Sequence, residues 1–300
     1  MRRLVLSLRP LQTAIFIILI LSSCSKDKRI ENNNETTVEG SISFKSDYAE
    51  VNGLKMYYEI YGEGEPLVLI HGGGSTIQSS FGRIIPQLSK HYQVVAVELQ
   101  NHGRSGNRKI PQTFEQDAND VAELLKNLGI SKASFLGFSN GGHTAMQIAI
   151  RHPEIVNKLI IASSPCKRSG FIFGFFDNMN KATFATMPQE LKTAFLKVNA
   201  DSAKLRIMFN KDVERMIGFK DWSDEQIKSI ITPTLLINGD TDVITPEHAI
   251  EMYRLIPHCQ LAILPGGHGK YMGEITTLGK DNQFFDFCTP LIEEFFKANN

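Results

Sequence analysis

Six short, continuous apolar segments constrain the fold of this chain more than any other feature. They read, in chain order, PLVLIH (66–71), QVVAVEL (93–99), SFLGF (134–138), KLIIAS (158–163), TLLING (234–239) and QLAILP (260–265). An apolar run without alternation predicts a strand that is covered on both faces, which is typical of parallel sheets. Because helical patterns separate these runs, we expect an α/β fold with a mostly parallel central sheet flanked by helices.

The segments around these runs carry other periodicities. Residues 41–45 and 54–62 alternate apolar and polar side chains, which predicts half-exposed antiparallel strands. Residues 113–129 carry one apolar stripe at helical spacing and end at Gly129, so they predict an amphipathic helix. No internal repeat is visible, and we expect a single domain over residues 41–300.

A long segment between two apolar runs has no strand-like pattern. Residues 166–231 contain helical segments, and residues 166–222 hold eight of the 19 Phe of the chain. We interpret this segment as a helical cap inserted over the end of the sheet, with an ordinary helical pair as the alternative. Part of an apolar cluster in the cap is expected to line a pocket, since ligand pockets are mostly apolar. The cluster consists of Phe171, Phe173, Phe175, Phe176, Met179, Phe184 and Met187.

Composition excludes several classes of protein. The chain has 300 residues, enough for one large or two small domains, and its 42% hydrophobic and 21% charged residues exclude a largely disordered chain. Lys plus Arg and Asp plus Glu both number 32, so the charge balance offers no footprint for nucleic acid. The four Cys are too few and too scattered for a disulfide scaffold or a zinc site.

The first 24 residues have the form of an export signal. Three arginines precede an apolar stretch, residues 11–21, which is too short to span a bilayer, since that takes about 20 residues. The stretch ends in Leu-Ser-Ser-Cys (21–24), which resembles the lipobox of bacterial lipoproteins. The resemblance implies cleavage before Cys24 and lipidation of its thiol. An uncleaved anchor helix or an ordinary signal peptide is the alternative.

Removal of the signal peptide, residues 1–23, would leave 29 basic and 32 acidic residues. Residues 24–40 are polar and cannot bury enough apolar surface to fold, so we predict a lipidated tether. The implied location is the bacterial cell envelope, with a membrane anchor at Cys24. At most one disulfide can then form among the remaining thiols, which are those of Cys166, Cys259 and Cys288.

A predicted strand leads directly into Gly-Phe-Ser-Asn-Gly-Gly (137–142), and a helical pattern follows. Gly-x-Ser-x-Gly between a strand and a helix is typical of a nucleophile elbow, a strained turn that exposes a serine hydroxyl. Gly137 and Gly141 are expected there because a Cβ at either position would collide with the neighbouring strand or helix. The pattern predicts Ser139 as a nucleophile, and the start of the helix favours negative charge nearby.

A second glycine-rich segment, His-Gly-Gly-Gly (71–74), ends the first apolar run. Residues without side chains let backbone N–H groups point at a bound oxygen. We predict that the N–H groups of Gly73 and Asn140 form an oxyanion hole, which stabilises charge that develops during acyl transfer. A plain glycine-rich turn is the alternative.

An acid and a base follow later strands in the chain order that this type of site requires. Asp240 and Asp242 follow the fifth apolar run, and His268 follows the sixth. We predict that His268 takes the serine proton and that a carboxylate holds its tautomer. We favour Asp242, because Asp240 stands at a first turn position, where an Asp commonly bonds the backbone two residues on.

The other histidines carry weaker signals. We expect His91, His152, His248 and His258 to be solvated. His143, on the helix after the elbow, is expected to point away as a packing or capping residue. No His and Cys spacing suggests a metal site, and we predict neither a metal nor an organic cofactor.

These motifs together resemble the α/β-hydrolase fold superfamily, over about residues 45–298. HGGG, GFSNGG, RHPEIVNKLIIAS, TPTLLINGDTDVITP and PGGHG match the family in order and spacing. The resemblance implies an α/β-hydrolase fold, a triad of Ser139, Asp242 and His268, and a cap over the pocket. It is strongest to single-domain esterases, lactonases and C–C hydrolases, including biphenyl-hydrolase-like proteins. Ser139 argues against haloalkane dehalogenases and epoxide hydrolases, which have Asp at the elbow.

One loop departs from the family pattern. The usual Asp-x-x-Gly-x-Gly-x-Ser sequence reads ELQNHGRS at residues 98–105, with Glu98 and Asn101 in place of Asp and Gly. The two replacements leave the shape of this loop open.

We therefore predict a lipid-anchored serine hydrolase that cleaves a small to medium apolar carboxylic ester or lactone through an acyl-enzyme. A peptidase, a C–C hydrolase or a haloperoxidase-like perhydrolase would use the same triad. A catalytically silent surface binding protein is the alternative from another class, and it would need none of the three groups. The expected partners are a small ester-like substrate and the membrane, not nucleic acid.

Overall fold

The computed structural model describes residues 35–36, 42–279 and 284–298. The predicted signal peptide (1–23), the predicted lipidation site Cys24 and most of the predicted tether lie outside the described residues. Within the described part of the chain, no helix combines the length and the apolarity needed to cross a bilayer.

In the described residues, nine strands form one sheet: β1 (Glu35–Thr36), β2 (Phe44–Val51), β3 (Leu54–Tyr61), β4 (Glu65–Ile70), β5 (Tyr92–Glu98), β6 (Ala133–Phe138), β7 (Val156–Ala162), β8 (Thr234–Gly239) and β9 (Cys259–Leu264). Their order in the sheet is β1-β2-β3-β5-β4-β6-β7-β8-β9. The first three strands pair antiparallel, and all pairs from β5 to β9 are parallel. The predicted mostly parallel sheet, preceded by antiparallel strands, is confirmed.

The continuous apolar runs lie where both faces of the sheet are covered, with one exception. Residues 67–70 of β4 and all of β8 are buried. In contrast, β9 is the edge strand, and its side chains are mostly half-buried, with Ile263 36% exposed. The expectation that this last run is covered on both faces is wrong, because β9 has a neighbouring strand, β8, on one side only.

Helices pack on both faces of the sheet. They are α1 (Ile77–Phe81), α2 (Ile85–Leu88), α3 (Phe114–Asn127), α4 (Asn140–Arg151), α5 (Phe175–Asn180), α6 (Gln189–Val198), α7 (Ser202–Ile217), α8 (Asp224–Lys228), α9 (Pro246–Leu255) and α10 (Phe285–Lys297). One large apolar core contains side chains of α3, α4 and α9, and a second contains side chains of α1, α2 and α10. The two cores occupy opposite faces of the sheet, as a doubly covered sheet requires.

Helix α3 shows how the sequence pattern produces this packing. The Thr113 side chain caps the helix by accepting a hydrogen bond from the Gln116 N–H. The apolar stripe is buried, and the chain leaves the helix at Gly129 with a φ of +70°. A left-handed residue after a helix favours glycine, so the predicted helix and its end are both confirmed.

Helices α5 to α8 occupy the segment between β7 and β8, where only helices were predicted. We call residues 166–231 the cap. The cap has a small apolar core of its own, and α7 reaches the loops that follow β4 and β5. The cap therefore lies over the carboxyl ends of the parallel strands, which is where ligands bind in open α/β sheets.

The three cysteines of the described residues, Cys166, Cys259 and Cys288, are free thiols. None of the pairings that the sequence left open is formed.

Candidate active site

Ser139 stands in a strained turn between β6 and α4. Its φ of 54° and ψ of −121° lie in a region that residues with side chains rarely adopt. A Cβ on Gly137 would lie 2.2 Å from the Gly141 carbonyl oxygen, and one on Gly141 would lie 1.9 Å from the Ile70 carbonyl oxygen. Both glycines are thus required by close backbone approach, as the sequence predicted, and the turn between them exposes the serine.

His268 connects the serine to a carboxylate. Its Nδ1–H donates to Asp242 Oδ1 at 2.7 Å, which leaves Nε2 as the acceptor for the Ser139 hydroxyl at 3.0 Å. Burial alone would lower the pKa of His268, but the charge of Asp242 and its hydrogen bond outweigh burial and raise it. Burial of Asp242 is likewise outweighed by His268, so the pKa of this carboxyl is lowered. The arrangement favours the imidazolium that forms when His268 takes a proton.

The structure separates the two candidate acids. Asp242 is buried and also accepts hydrogen bonds from the Ser163 hydroxyl and, at 3.2 Å, from the Ile244 N–H. Asp240 instead accepts a hydrogen bond from the Gly266 N–H at 2.7 Å. The prediction that Asp240 bonds the backbone two residues on is wrong, since its carboxylate bonds Gly266 in another loop. A bond of the predicted kind is made by Asp242, to the N–H of Ile244. Asp240 joins the loop after β8 to the loop that carries His268.

The predicted oxyanion-hole residues lie beside Ser139 in one cavity. Asn140 is the first residue of α4, so its N–H has no acceptor within the helix. The Gly72 N–H donates to the Ser80 hydroxyl and the Gly74 N–H to a carboxylate of the cap, whereas the Gly73 N–H has no acceptor among the described residues. The structure therefore places two uncommitted N–H groups next to the serine.

Comparisons with known proteins find similar sequences among hydrolases. Residues 65–201 match the family model described as alpha/beta hydrolase fold. The chain is 25% identical to 2-hydroxy-6-oxo-6-(2'-aminophenyl)hexa-2,4-dienoic acid hydrolase of Metapseudomonas resinovorans, over 73% of this chain and 87% of that protein. It is 27% identical to pimeloyl-[acyl-carrier protein] methyl ester esterase of Nitrosospira multiformis, over 71% of this chain and 90% of that protein.

A solved structure shows the same fold. The enol-lactonase of Burkholderia xenovorans LB400 superposes with a TM-score of 0.65 at 24% identity, over 84% of this chain and 100% of that one. The chain has the α/β-hydrolase fold. The predicted fold class and the predicted enzyme class are both confirmed.

The pocket of the hydrolase is mostly apolar. A cavity of about 370 Å³ opens above Ser139 and His268 between the cap and the strand ends. Of the apolar cluster predicted to contribute, four residues line it, namely Phe171, Phe175, Met179 and Met187. Phe173 instead is fully exposed to solvent. The expectation that part of the cluster forms the pocket wall agrees with the structure.

Two histidine predictions for the hydrolase need correction. His143 lines the cavity and does not point away, although it is a packing residue as expected. Its Nδ1 lies 2.9 Å from the Ser164 hydroxyl, and its ring stacks on Phe114. His248 is buried rather than solvated, and its Nδ1 lies 2.8 Å from Glu251. Packing of the cap entry against α9 covers His248, which no local sequence pattern shows. Burial lowers the pKa of His143 to about 3, so it is neutral.

The atypical loop after β5 keeps a compact turn despite its replacements. Glu98 is buried and accepts hydrogen bonds from the Arg104 backbone N–H at 2.6 Å and from its guanidinium at 2.8 Å. Asn101 adopts a φ of +68° at the position where the family has glycine. Asn is among the residues that best tolerate this conformation. A Cβ on Gly103 would lie 2.3 Å from the Glu98 carboxylate.

The structure also assembles a polar cluster that sequence reasoning missed. His71, His102 and Asp212 are buried next to the glycine-rich loop, and Asp212 belongs to the cap helix α7. The His-Gly pairs that begin at residues 71 and 102 are the only sequence signal for this cluster. Asp212, the partner of His102, lies 110 residues further along the chain, so local sequence does not reveal the contact. Among the described residues, no group of three or more His, Cys, Asp or Glu side chains is arranged so that it could hold a metal ion.

Proposed function

We propose that the hydrolase cleaves small to medium apolar carboxylic esters or lactones with Ser139 as nucleophile, His268 as base and Asp242 as the acid that orients it. The observation that carries the proposal is the continuous hydrogen-bonded chain from Ser139 through His268 to Asp242, with the serine held in a strained turn. This combination activates a hydroxyl that is otherwise a weak nucleophile.

The proposed reaction has two halves. His268 accepts the Ser139 proton through Nε2 while the serine oxygen attacks the substrate carbonyl, and the resulting oxyanion lies at the N–H groups of Gly73 and Asn140. The protonated His268 then donates to the leaving alkoxide as the tetrahedral intermediate collapses to an acyl-enzyme. A water molecule, deprotonated by His268, releases the acid and restores the serine.

The pocket wall supports an uncharged, apolar substrate. Apolar residues (Phe, Met, Leu, Ile, Val, Ala and Pro) make up most of the wall, and no Lys or Arg of the described residues contributes to it. The esterase and the enol-lactonase named above act, by their names, on an ester and a lactone. A carbonyl with apolar substituents fits such a wall without leaving a charge unpaired.

A C–C hydrolase is the second candidate, because the name of one relative gives a substituted dienoic acid as its substrate. A dienoic acid brings a carboxylate into the pocket, and carboxylates are usually held by Arg or Lys. The wall instead contains the carboxylate of Asp212. We therefore rank esters and lactones ahead of such acids, and ahead of the peptidase and perhydrolase alternatives.

We also propose that the hydrolase is anchored by lipid at Cys24 in the bacterial cell envelope. The support is the sequence of residues 1–24, with its basic start, short apolar stretch and Leu-Ser-Ser-Cys ending. A polar segment follows and would separate the lipid from the domain. In this arrangement the membrane is a partner through the anchor only.

Labelling with a fluorophosphonate probe tests the nucleophile, and a panel of p-nitrophenyl esters tests the substrate class. We expect labelling at Ser139 and turnover of short and medium acyl esters. A protein that neither labels nor hydrolyses any ester would instead be a catalytically silent binding protein.

A further inference from the structure

A carboxylate of the cap holds the loop that forms one side of the oxyanion hole. Asp212, on α7, accepts a hydrogen bond from the Gly74 N–H at 2.6 Å through its Oδ2 atom. The same oxygen lies 2.8 Å from Nε2 of His102. Asp212 is 8% exposed, so the contact is largely shielded from solvent. Gly74 has a φ of +70°, and the contact therefore holds the backbone in a left-handed conformation that favours glycine.

The charge of this carboxylate is compensated inside the protein. Its other oxygen, Oδ1, accepts a hydrogen bond from Arg215 at 2.7 Å, and Arg215 also binds the buried Asp117 at 2.6 Å. Burial opposes the charges of Asp212 and His102, but their mutual attraction outweighs it, lowering the pKa of Asp212 and raising that of His102. Asp212 and Asp117 thus face the guanidinium of Arg215 and the imidazole of His102 in one network between cap and core.

The glycine-rich loop is therefore held on both sides of Gly73. The Gly72 N–H donates to the Ser80 hydroxyl at 3.3 Å, and the Gly74 N–H donates to Asp212. A Cβ on Gly73 would lie 3.2 Å from Asp212 Oδ2 and 2.4 Å from Asn140 Nδ2. The cap carboxylate is thus packed against the very residue whose N–H is left uncommitted.

We infer that Asp212 is a positioning residue, which aims the Gly73 N–H at the oxyanion and makes an effective oxyanion hole depend on a seated cap. The inference rests on the proposed serine-hydrolase function. Asp212 itself cannot bind substrate strongly, because Gly74, His102 and Arg215 already donate to its two oxygens. A cap that lifted away would withdraw this carboxylate and leave the Gly74 N–H only its longer contact with His102 Nε2, at 3.2 Å.

The Asp212→Asn variant tests the inference. An amide has one acceptor oxygen in place of two, so it cannot serve both Arg215 and Gly74. Removal of a whole oxyanion donor costs about 100- to 1,000-fold in kcat, and a displaced donor is expected to cost about 10- to 100-fold. The KM for a p-nitrophenyl ester should stay within about threefold, because the defect is felt in the transition state.

A pair of inhibitors separates positioning from general damage. An alkyl trifluoromethyl ketone is attacked by the serine and then carries an oxyanion, whereas the matching methyl ketone binds without one. Asp212→Asn should lower the affinity for the trifluoromethyl ketone by about the same factor as it lowers kcat. It should leave the affinity for the methyl ketone nearly unchanged. If Asp212 had only a structural role, the affinities for both ketones would fall together.

Asp117→Asn is the matched control. Asp117 binds Arg215 in the same network but does not touch the glycine-rich loop. Burial raises its pKa to about 6, so the amide resembles a form that is already accessible. We expect unchanged kcat and ketone affinities. If Asp212→Asn does not fold, Asp212→Glu serves instead, because it keeps the negative charge. Its longer side chain displaces Gly74, so this variant should lower kcat as Asp212→Asn does.

The inference is overturned if a folded Asp212 variant keeps its kcat and its affinity for the trifluoromethyl ketone, or if KM alone changes. The proposed function would survive that result, because the wild type would still be labelled at Ser139. A wild type that is not labelled would refute the proposed function itself.

Discussion

His268 Nε2 lies 3.0 Å from Ser139 Oγ, although 129 residues separate them in the chain. Ser139 follows β6 and His268 follows β9, so two strands lie between them in the sheet. The loop after β9 must therefore pass back over the strand ends, and it does so against Phe138. Gly269, with a φ of +76°, makes this possible, because a Cβ there would lie 2.7 Å from the Phe138 ring.

Replacement of the proposed nucleophile should abolish turnover without loss of the fold. In Ser139→Ala we expect ester hydrolysis to fall by at least about 10⁴-fold, because triad members act as a unit. The melting temperature should change little, since the hydroxyl adds little packing. Measurements of ester turnover and of the melting temperature test this prediction. Ser202→Ala, at the exposed start of α7, is the control, and full activity of Ser139→Ala would refute the mechanism.

The two carboxylates after β8 should behave differently. Asp242→Asn is expected to lower kcat by about 10⁴-fold, because the amide no longer stabilises the correct His268 tautomer. Asp240→Asn should mainly lower the melting temperature, since Asp240 holds the Gly266 N–H and lies outside the triad. Parallel turnover and thermal-shift measurements decide the matter. The reverse pattern would give the catalytic role to Asp240.

Activity should fall at low pH with the protonation of His268. The histidine must be neutral to accept the serine proton, and Asp242 raises its pKa above the ordinary value of about 6.5. The acid limb of kcat/KM should thus have its midpoint above about pH 6.5. Any residual activity in Asp242→Asn should show a lower midpoint, because the raising charge is gone. An identical midpoint in the wild type and in Asp242→Asn would contradict the pairing of His268 with Asp242.

Trimming the pocket wall should change acyl preference. The wild type should prefer butyrate or hexanoate esters to free amino-terminal peptides, because the wall is mostly apolar. Phe175 lines the cavity and stacks on Phe171 at 4.2 Å, so Phe175→Ala should shift the preference to longer or bulkier acyl groups. Phe173→Ala, at a fully exposed position, is the matched control. A preference for peptides would contradict the proposed substrate class.

The proposed anchor depends on one thiol. Cys24→Ser should abolish labelling with radioactive palmitate in bacteria that express the full chain, and it should leave an uncleaved or unanchored precursor. The wild type should be labelled and should fractionate with membranes. Wild-type protein that takes up no lipid and is free in the medium would refute the anchor.

Local sequence was sufficient for the elements whose cause is local. The six apolar runs predicted the six strands β4 to β9, and the glycines at 137 and 141 marked the turn that exposes Ser139. Steric requirements of this sort involve residues a few positions apart. They can be read directly from the spacing of residue types.

Tertiary structure decided three features that local sequence did not show. They are the contact of Asp242 with His268, the burial of His248 and the hydrogen bond from Gly74 to Asp212. Each depends on which groups meet after distant segments pack, as when α7 of the cap brings Asp212 to a loop 138 residues earlier. A sequence determines which residues are able to donate, accept or carry charge. Only the folded chain decides their distances and their exposure to water, and these set hydrogen bonds and pKa values.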